Sequence, residues 1–282
     1  MVENRPISRY IAHGILIIGV VITFLPIWLA FVASTHPVDR LLNDQMPFWP
    51  GDQLLENYGT VLSEGMKKAG GVPVGTMMLN SLIMALAIAI GKIFISFLSA
   101  FAIVYFRFPF RRTIFWMIFI TLMLPVEVRI LPTFEIVANL GMLNSYGGLI
   151  IPLIASATAT FLFRQFFLTV PDELLEAARI DGAGPMRFLK DILLPLSRTS
   201  IAALFVIQFI YGWNQFLWPL LVTTDQSLYT IVMGIRSMIT VGDSEPTWHL
   251  IMATVILAML PPVLVVMLMQ RQFVKGLVET EK

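Results

Sequence analysis

The chain has 282 residues, 57% of them hydrophobic and 13% charged, where a soluble domain is about a quarter charged. With a mean hydropathy of +0.81, that composition excludes an ordinary soluble domain and indicates a membrane protein. A net charge of +1 gives no bulk field for nucleic acid, and the absence of cysteine excludes disulfides and thiolate metal sites.

A membrane span needs about 20 mostly apolar residues, and six stretches of the chain qualify. The first, at about 14–35, contains no Asp, Glu, Lys or Arg. It is too long for a signal-peptide core and lacks a small-residue cleavage site, so it reads as a retained span. The segment from His36 to Gly75 is rich in Pro, Gly and acids and reads as an irregular external loop with room for a short surface helix. Further spans follow at about 76–105, interrupted by Lys92, and at about 113–138, 146–163, 199–222 and 250–269. Three scattered histidines, His13, His36 and His249, form no metal cluster and read as lone interfacial or loop residues.

Lys and Arg in the flanks orient the spans. Thirteen lie on the side of the amino terminus, four on the other, and Lys92 and Arg129 lie within spans. The expected architecture is therefore an all-α integral membrane protein with six transmembrane helices and both termini inside. Its parts are the first span and outer loop (1–75), a core (76–271) and an inner tail (272–282).

Between the fourth and fifth spans the apolar chain carries a charged inner segment, 169–198, whose centre reads LLEAARIDGAGPMRFLKDILLP (Leu174–Pro195). Thr169-Val-Pro-Asp172 fits a capping box with Pro171 in the first turn, and Asp172 and Glu173 suit the positive end of a helix. Leu174, Ala177, Ala178 and Asp181 are spaced for one face, and Gly182 suits a left-handed stop. Pro185 starts a second helix with an apolar stripe of Met186, Leu189, Ile192 and Leu193, limited by Pro195. A solvated linker needs no such small residues, whereas Ala177, Ala178, Gly182 and Ala183 let another backbone come close.

EAARIDGAGPMRFLKDILLPL resembles the EAA loop of the membrane subunits of ABC importers, at Glu176, Ala177, Ala178, Asp181, Gly182, Ala183 and the Leu194-Pro195 ending. YGWNQFLWPL (Tyr211–Leu220) is similar to the Trp-Asn-x-Phe-Leu-Trp-Pro run of sugar-type permeases. The MVENRP start, Phe115–Thr133, Ser156–Phe167 and the ending MQRQFVKGLVETEK narrow the resemblance to permease subunits of glycerol-3-phosphate importers. The resemblance implies a type I ABC importer permease fold in a bacterial inner membrane, with 76–271 as permease core and the outer loop periplasmic. It implies a coupling helix seated on a separate ATPase. The implied partners are a sister permease, two ATP-binding subunits that hold ATP and Mg, a periplasmic solute-binding protein and the lipid bilayer. The implied substrate is glycerol 3-phosphate, with glycerophosphodiesters as further candidates. This chain itself would hold no cofactor and catalyse no covalent step. In agreement, the Gly91-Lys92 pair lacks the first glycine of a phosphate-binding loop, Leu86 standing there, and is followed by Ile93.

Charges inside the spans are costly and belong in an interior or an aqueous path. Arg129, beside Glu127 and between Pro125 and Pro132, has two readings: a contact for the substrate phosphate, or a gate or docking contact for the binding protein. Residues two apart do not share a helical face, which disfavours a direct Glu127–Arg129 pair. Lys92, near mid-membrane, either lines the path or pairs with the sister subunit, or it faces an internal crevice with a structural role. Tyr211, Trp213, Asn214 and Gln215 either contact a polyol or bond between helices. Within the family the alternative is a sugar or polyol permease, and three rival classes remain: an ion-coupled secondary transporter, which would leave the coupling helix unexplained; a membrane-embedded enzyme, which lacks a cluster of His or paired acids at the inner face; and a non-transport scaffold.

Overall fold

The computed structural model describes residues 6–43, 45–64, 71–239 and 247–278, and they are helical apart from turns and connections. In chain order the helices are α1 (Pro6–Ala33), α2 (Val38–Asn43), α3 (Leu54–Ser63), α4 (Val74–Tyr105), α5 (Arg111–Ile120), α6 (Val126–Asn139), α7 (Tyr146–Ile150) and α8 (Ala157–Phe167). Then come α9 (Asp172–Ile180), α10 (Pro185–Phe188), a π-helical turn (Leu189–Leu193), α11 (Leu194–Leu196), α12 (Arg198–Trp213), α13 (Leu217–Val222), α14 (Ile231–Ile239) and α15 (Trp248–Val278). Backbone contacts divide the chain into one unit up to Thr76 together with Gly234–Leu260, and a second of Met77–Met233 and the residues from Pro261 on.

In the first unit, α1 is apolar around its whole circumference and exposes it from Tyr10 to Leu25, as a lipid-facing helix does. The outer segment is more ordered than an irregular loop. It holds two helices, α2 and α3, and is laced to the end of α1 by buried polar groups. Asn57 donates to the carbonyls of Ser34 (2.9 Å) and His36 (3.1 Å), and the Gly51 N–H donates to Thr35 Oγ1 (2.7 Å). His36 is buried, and its Nε2–H donates to the Trp49 carbonyl at 2.9 Å. Burial pushes the Tyr58 hydroxyl up, against the hydrogen bond it shares with Ser34.

In the second unit α4 is the helix against which others pack. Small residues let them approach: a Cβ on Gly212 of α12 would lie 2.8 Å from Ala85 Cα. One apolar cluster joins Met84 and Ile88 of α4 to Val137, Leu149, Trp218 and Val222. A second joins Phe97, Ala100 and Phe101 of α4 to Phe163 and Phe167 of α8, Ala178 of α9, Phe188, Leu189 and Leu193, and Leu204 of α12.

Three helices are long and apolar enough to cross a membrane, at Tyr10–Ala33, Val74–Tyr105 and Trp248–Gln270. Two bent pairs also qualify: Tyr146–Leu153 with Ala157–Phe167 at 44°, and Pro185–Leu196 with Arg198–Trp213 at 74°. The stretch expected at 113–138 as one span is instead two helices, broken where Leu124 (ψ 119°) and Pro125 (ψ 145°) are extended. Proline forces its predecessor out of the helical region. Pro132, by contrast, is carried inside α6. The helix expected at 199–222 breaks at Asn214–Phe216, and α13 follows. Of the tail expected at 272–282, residues 279–282 lie outside the described residues, as do MVENR at the start and 65–70 of the outer loop.

Candidate coupling and anion-binding sites

The charged segment forms a helix, a glycine turn and a second helix. Asp172 and Glu173 occupy the first turn of α9, where the helix dipole favours anions. The capping box does not form: Pro171 is the cap residue, and the Thr169 hydroxyl instead donates back to the Phe166 carbonyl at 2.7 Å. At the other end Gly182 adopts φ +72°, and the Ala183 N–H reaches back to the Ala178 carbonyl at 2.8 Å. This closes the helix as a Schellman turn.

One face of α9 is anchored and the other is free. Ala178 is buried and Leu175 and Ala183 pack beside it, whereas Glu176, Ala177, Asp181 and Gly182 are exposed. Leu174 is exposed as well, and Ile180 is 86% exposed, a large apolar side chain with nothing over it in this chain. Of the expected stripe on the second helix, Leu189 and Leu193 are buried and Ile192 packs against them, but Met186 faces outward and Phe188 takes the inner place. Nor does Pro195 end that helix. The chain widens into the π turn just before it, because Pro195 has no N–H for the Asp191 carbonyl and its ring pushes that carbonyl away.

The anchored face is tied to the spans by aromatic rings. Phe97 meets Phe163 (5.2 Å) and Phe167 (5.1 Å) edge-on, and Tyr105 meets Phe188 at 5.2 Å. The Tyr105 hydroxyl donates to the Phe167 carbonyl at 3.3 Å. Through this core α9 is packed continuously against residues of α4, α8 and α12.

Lys92 is 6% exposed, with its Nζ 3.5 Å from the centroid of the Tyr211 ring. Such a cation–π contact contributes about 0.5–2 kcal/mol. Arg129, from the first turns of α6, is close enough to act electrostatically on both Lys92 and Tyr211. Gln215 braces this corner by donating to the Tyr211 carbonyl at 3.1 Å. The structure thus associates Lys92 of α4 and Arg129 of α6 with Tyr211 of α12 and Gln215 in the break that follows it. Trp213 is buried and stacks on Phe209, and Asn214 is exposed at the break after α12. The side chain of Glu127 lies outside the described residues. Among the described residues no group of His, Asp or Glu is placed to hold a metal ion.

Two polar hubs complete the unit. Asn80 is buried, donates to the carbonyls of Ser227 (2.8 Å) and Tyr229 (3.0 Å), and accepts from the Tyr146 hydroxyl (2.6 Å). Asn144, at φ 52°, accepts from the backbone N–H groups of Thr224 (2.7 Å) and Asp225 (3.0 Å). The Ser227 N–H, and then its hydroxyl, hold the Asp225 carboxyl below the usual carboxylate range. The sequence carried a signal for Asn80: an Asn-Ser pair inside an apolar span has to find partners.

Residues 92–279 match the family of binding-protein-dependent transport system inner membrane components. The chain is 60% identical to the sn-glycerol-3-phosphate transport system permease protein UgpE of Agrobacterium fabrum and 60% identical to that of Rhizobium meliloti, over 282 residues and all of each chain. It is 58% identical to the UgpE of Salmonella typhi, again over all of both chains. Its fold is similar to a chain of a bacterial ABC transporter involved in the import of the acidic polysaccharide alginate, with TM-score 0.83, 19% identity, and coverage of 97% of this chain and 99% of that one.

Proposed function

The chain belongs to the family of binding-protein-dependent transport system inner membrane components, and on that premise we propose that it carries sn-glycerol 3-phosphate inward as one of two unlike permease subunits. It is a multi-pass inner-membrane subunit without covalent chemistry of its own, and partner ATPases supply the energy. A sister permease, two ATPase copies and a periplasmic binding protein complete the machine. The proposed arrangement is six spans with both termini inside. The thirteen-to-four excess of Lys and Arg supports it, with α5–α6 as a broken third span and 76–271 as the permease core.

The cycle proposed is alternating access. ATP closes the ATPases, and the exposed face of α9, at Glu176, Ala177, Asp181 and Gly182, moves with them. Ala178 and the aromatic cluster carry that movement into the spans, and the cavity opens outward to accept cargo. Hydrolysis then returns it inward.

The observation that carries the anionic cargo is the Lys92–Arg129 corner. Buried Lys92 feels the repulsion of exposed Arg129, and an anion bound beside them relieves it. A guanidinium and an ammonium suit a phosphate group, and Tyr211 and Gln215 bring polar side chains to the same corner for the glycerol.

Uptake of labelled sn-glycerol 3-phosphate, in vesicles holding the full complex with binding protein outside and ATP inside, tests the reading. ATP-dependent uptake that is weakened in Arg129→Ala and abolished in Gly182→Asp is expected. Uptake of a sugar or a glycerophosphodiester alone would replace the substrate and keep the machine. Uptake without ATP would overturn the coupling.

A further inference from the structure

A second basic site lies away from the Lys92 corner. A cavity of about 520 Å³ opens between the end of α4, α5 and α8. Arg111, Arg112, Arg164 and Gln165 give it a polar side, and rings such as Phe115 and Trp116 line the rest, with no carboxylate in its lining. The Arg164 guanidinium carbon sits over the Phe115 ring, 4.2 Å from its centroid, and Arg111 donates to the Phe106 carbonyl at 3.2 Å. Both groups are thus held in place and retain further N–H donors, since a guanidinium has five.

We propose that this cavity seats the phosphate of an anionic phospholipid from the inner leaflet. The leaflet rests on the orientation proposed above; the site itself does not. Guanidinium groups bind phosphate oxygens by paired, charge-assisted hydrogen bonds. Basic pockets between spans on the cytoplasmic side suit acidic lipid headgroups. A free phosphate ion would satisfy the arginines but leave the apolar walls bare. The surroundings favour the lipid: Trp116 is 57% exposed and Phe110 77%, and Leu168 and Met117 are exposed beside them. An exposed Trp beside arginines suits the membrane–water boundary. The site also borders the lever arm. Phe163 and Phe167, on the same helix as Arg164, belong to the cluster that holds Ala178 of α9. A lipid seated here braces α8 against α5 beside the coupling helix.

The test uses the full complex in nanodiscs of phosphatidylcholine with a minor fraction of phosphatidylglycerol. Native mass spectrometry counts the lipids that stay bound. Wild type is expected to retain phosphatidylglycerol selectively. The double variant Arg112→Gln/Arg164→Gln is expected to lose that retention by at least about 10-fold, since it removes the charge-assisted hydrogen bonds of two guanidinium groups. The double variant Arg112→Lys/Arg164→Lys preserves charge and bulk and should fall between the two. If the glutamine pair fails to assemble, the lysine pair carries the comparison with wild type. Equal retention in wild type and the charge-removed form, or no lipid preference in wild type, overturns the proposal. Displacement by millimolar inorganic phosphate without loss of complex would assign the site to a soluble anion and overturn it too. No substrate is present, so an error in the cargo cannot mimic failure.

Discussion

Gly182 separates two effects of substitution that are confounded at most positions. Its φ of +72° is strained for a side chain, yet a Cβ there would meet nothing within 4 Å. Gly182→Ala therefore carries only the left-handed strain, about 1–2 kcal/mol, and uptake should remain within a few-fold of wild type. Asp tolerates that conformation better than Ala, so any greater loss in Gly182→Asp must come from the charge and bulk it presents to the ATPase. Comparing uptake with complex yield for the two variants checks this. An alanine variant as inactive as the aspartate variant would make backbone strain the cause. At the other site, Lys92→Ala removes one of the two cations. Loss of a charged hydrogen bond worth about 1.5–3 kcal/mol should raise the substrate concentration for half-maximal uptake by about 10-fold or more, with ATP hydrolysis retained. An unchanged concentration dependence would remove Lys92 from the path.

At the level of elements, the second helix of the charged segment owes its π turn to Pro195. Pro195→Ala restores an N–H for the Asp191 carbonyl and allows regular α-helix through Leu189–Leu193. That would rotate Leu193 relative to Phe188, both now buried in the cluster that joins α9 to the spans. The expected result is several-fold less uptake per ATP hydrolysed, with assembly intact; an unchanged ratio would show that the π turn is not part of the lever. The Arg187–Asp191 pair beside it, 3.4 Å apart and exposed, contributes little. Where α12 crosses α4, Gly212→Val would place branched carbon against the Ala85 backbone. Overpacking of this kind costs about 1–3 kcal/mol, and the melting temperature of the purified complex should fall.

For the whole molecule the open question is topology, and the absence of cysteine makes it easy to ask. Single Leu140→Cys and Asp172→Cys variants place a thiol at exposed positions on opposite sides of the proposed six-span arrangement. A membrane-impermeant maleimide added outside should label the first and spare the second. The reverse pattern would invert the orientation, and labelling of both would reduce the span count between them.

Residues alone sufficed for the membrane class, the long spans, the left-handed glycine and the two helices of the charged segment. Each rests on local physics: apolar runs of fixed length, the conformational freedom of glycine, and charge that the bilayer excludes. The family resemblance carried the importer class, and the match over 92–279 agrees with it. Tertiary structure decided which faces are used. Ala177 and Ala178 are neighbours of one type, but only Ala178 is buried, because the ring cluster of α4 and α8 lies on its side. Tyr211 and Trp213 are both aromatic, and the fold stacks Lys92 on the Tyr211 ring and Phe209 on that of Trp213. The break at Leu124–Pro125, rather than at Pro132, was not legible either, since a proline marks where a helix can break, and the packing around it determines where it does.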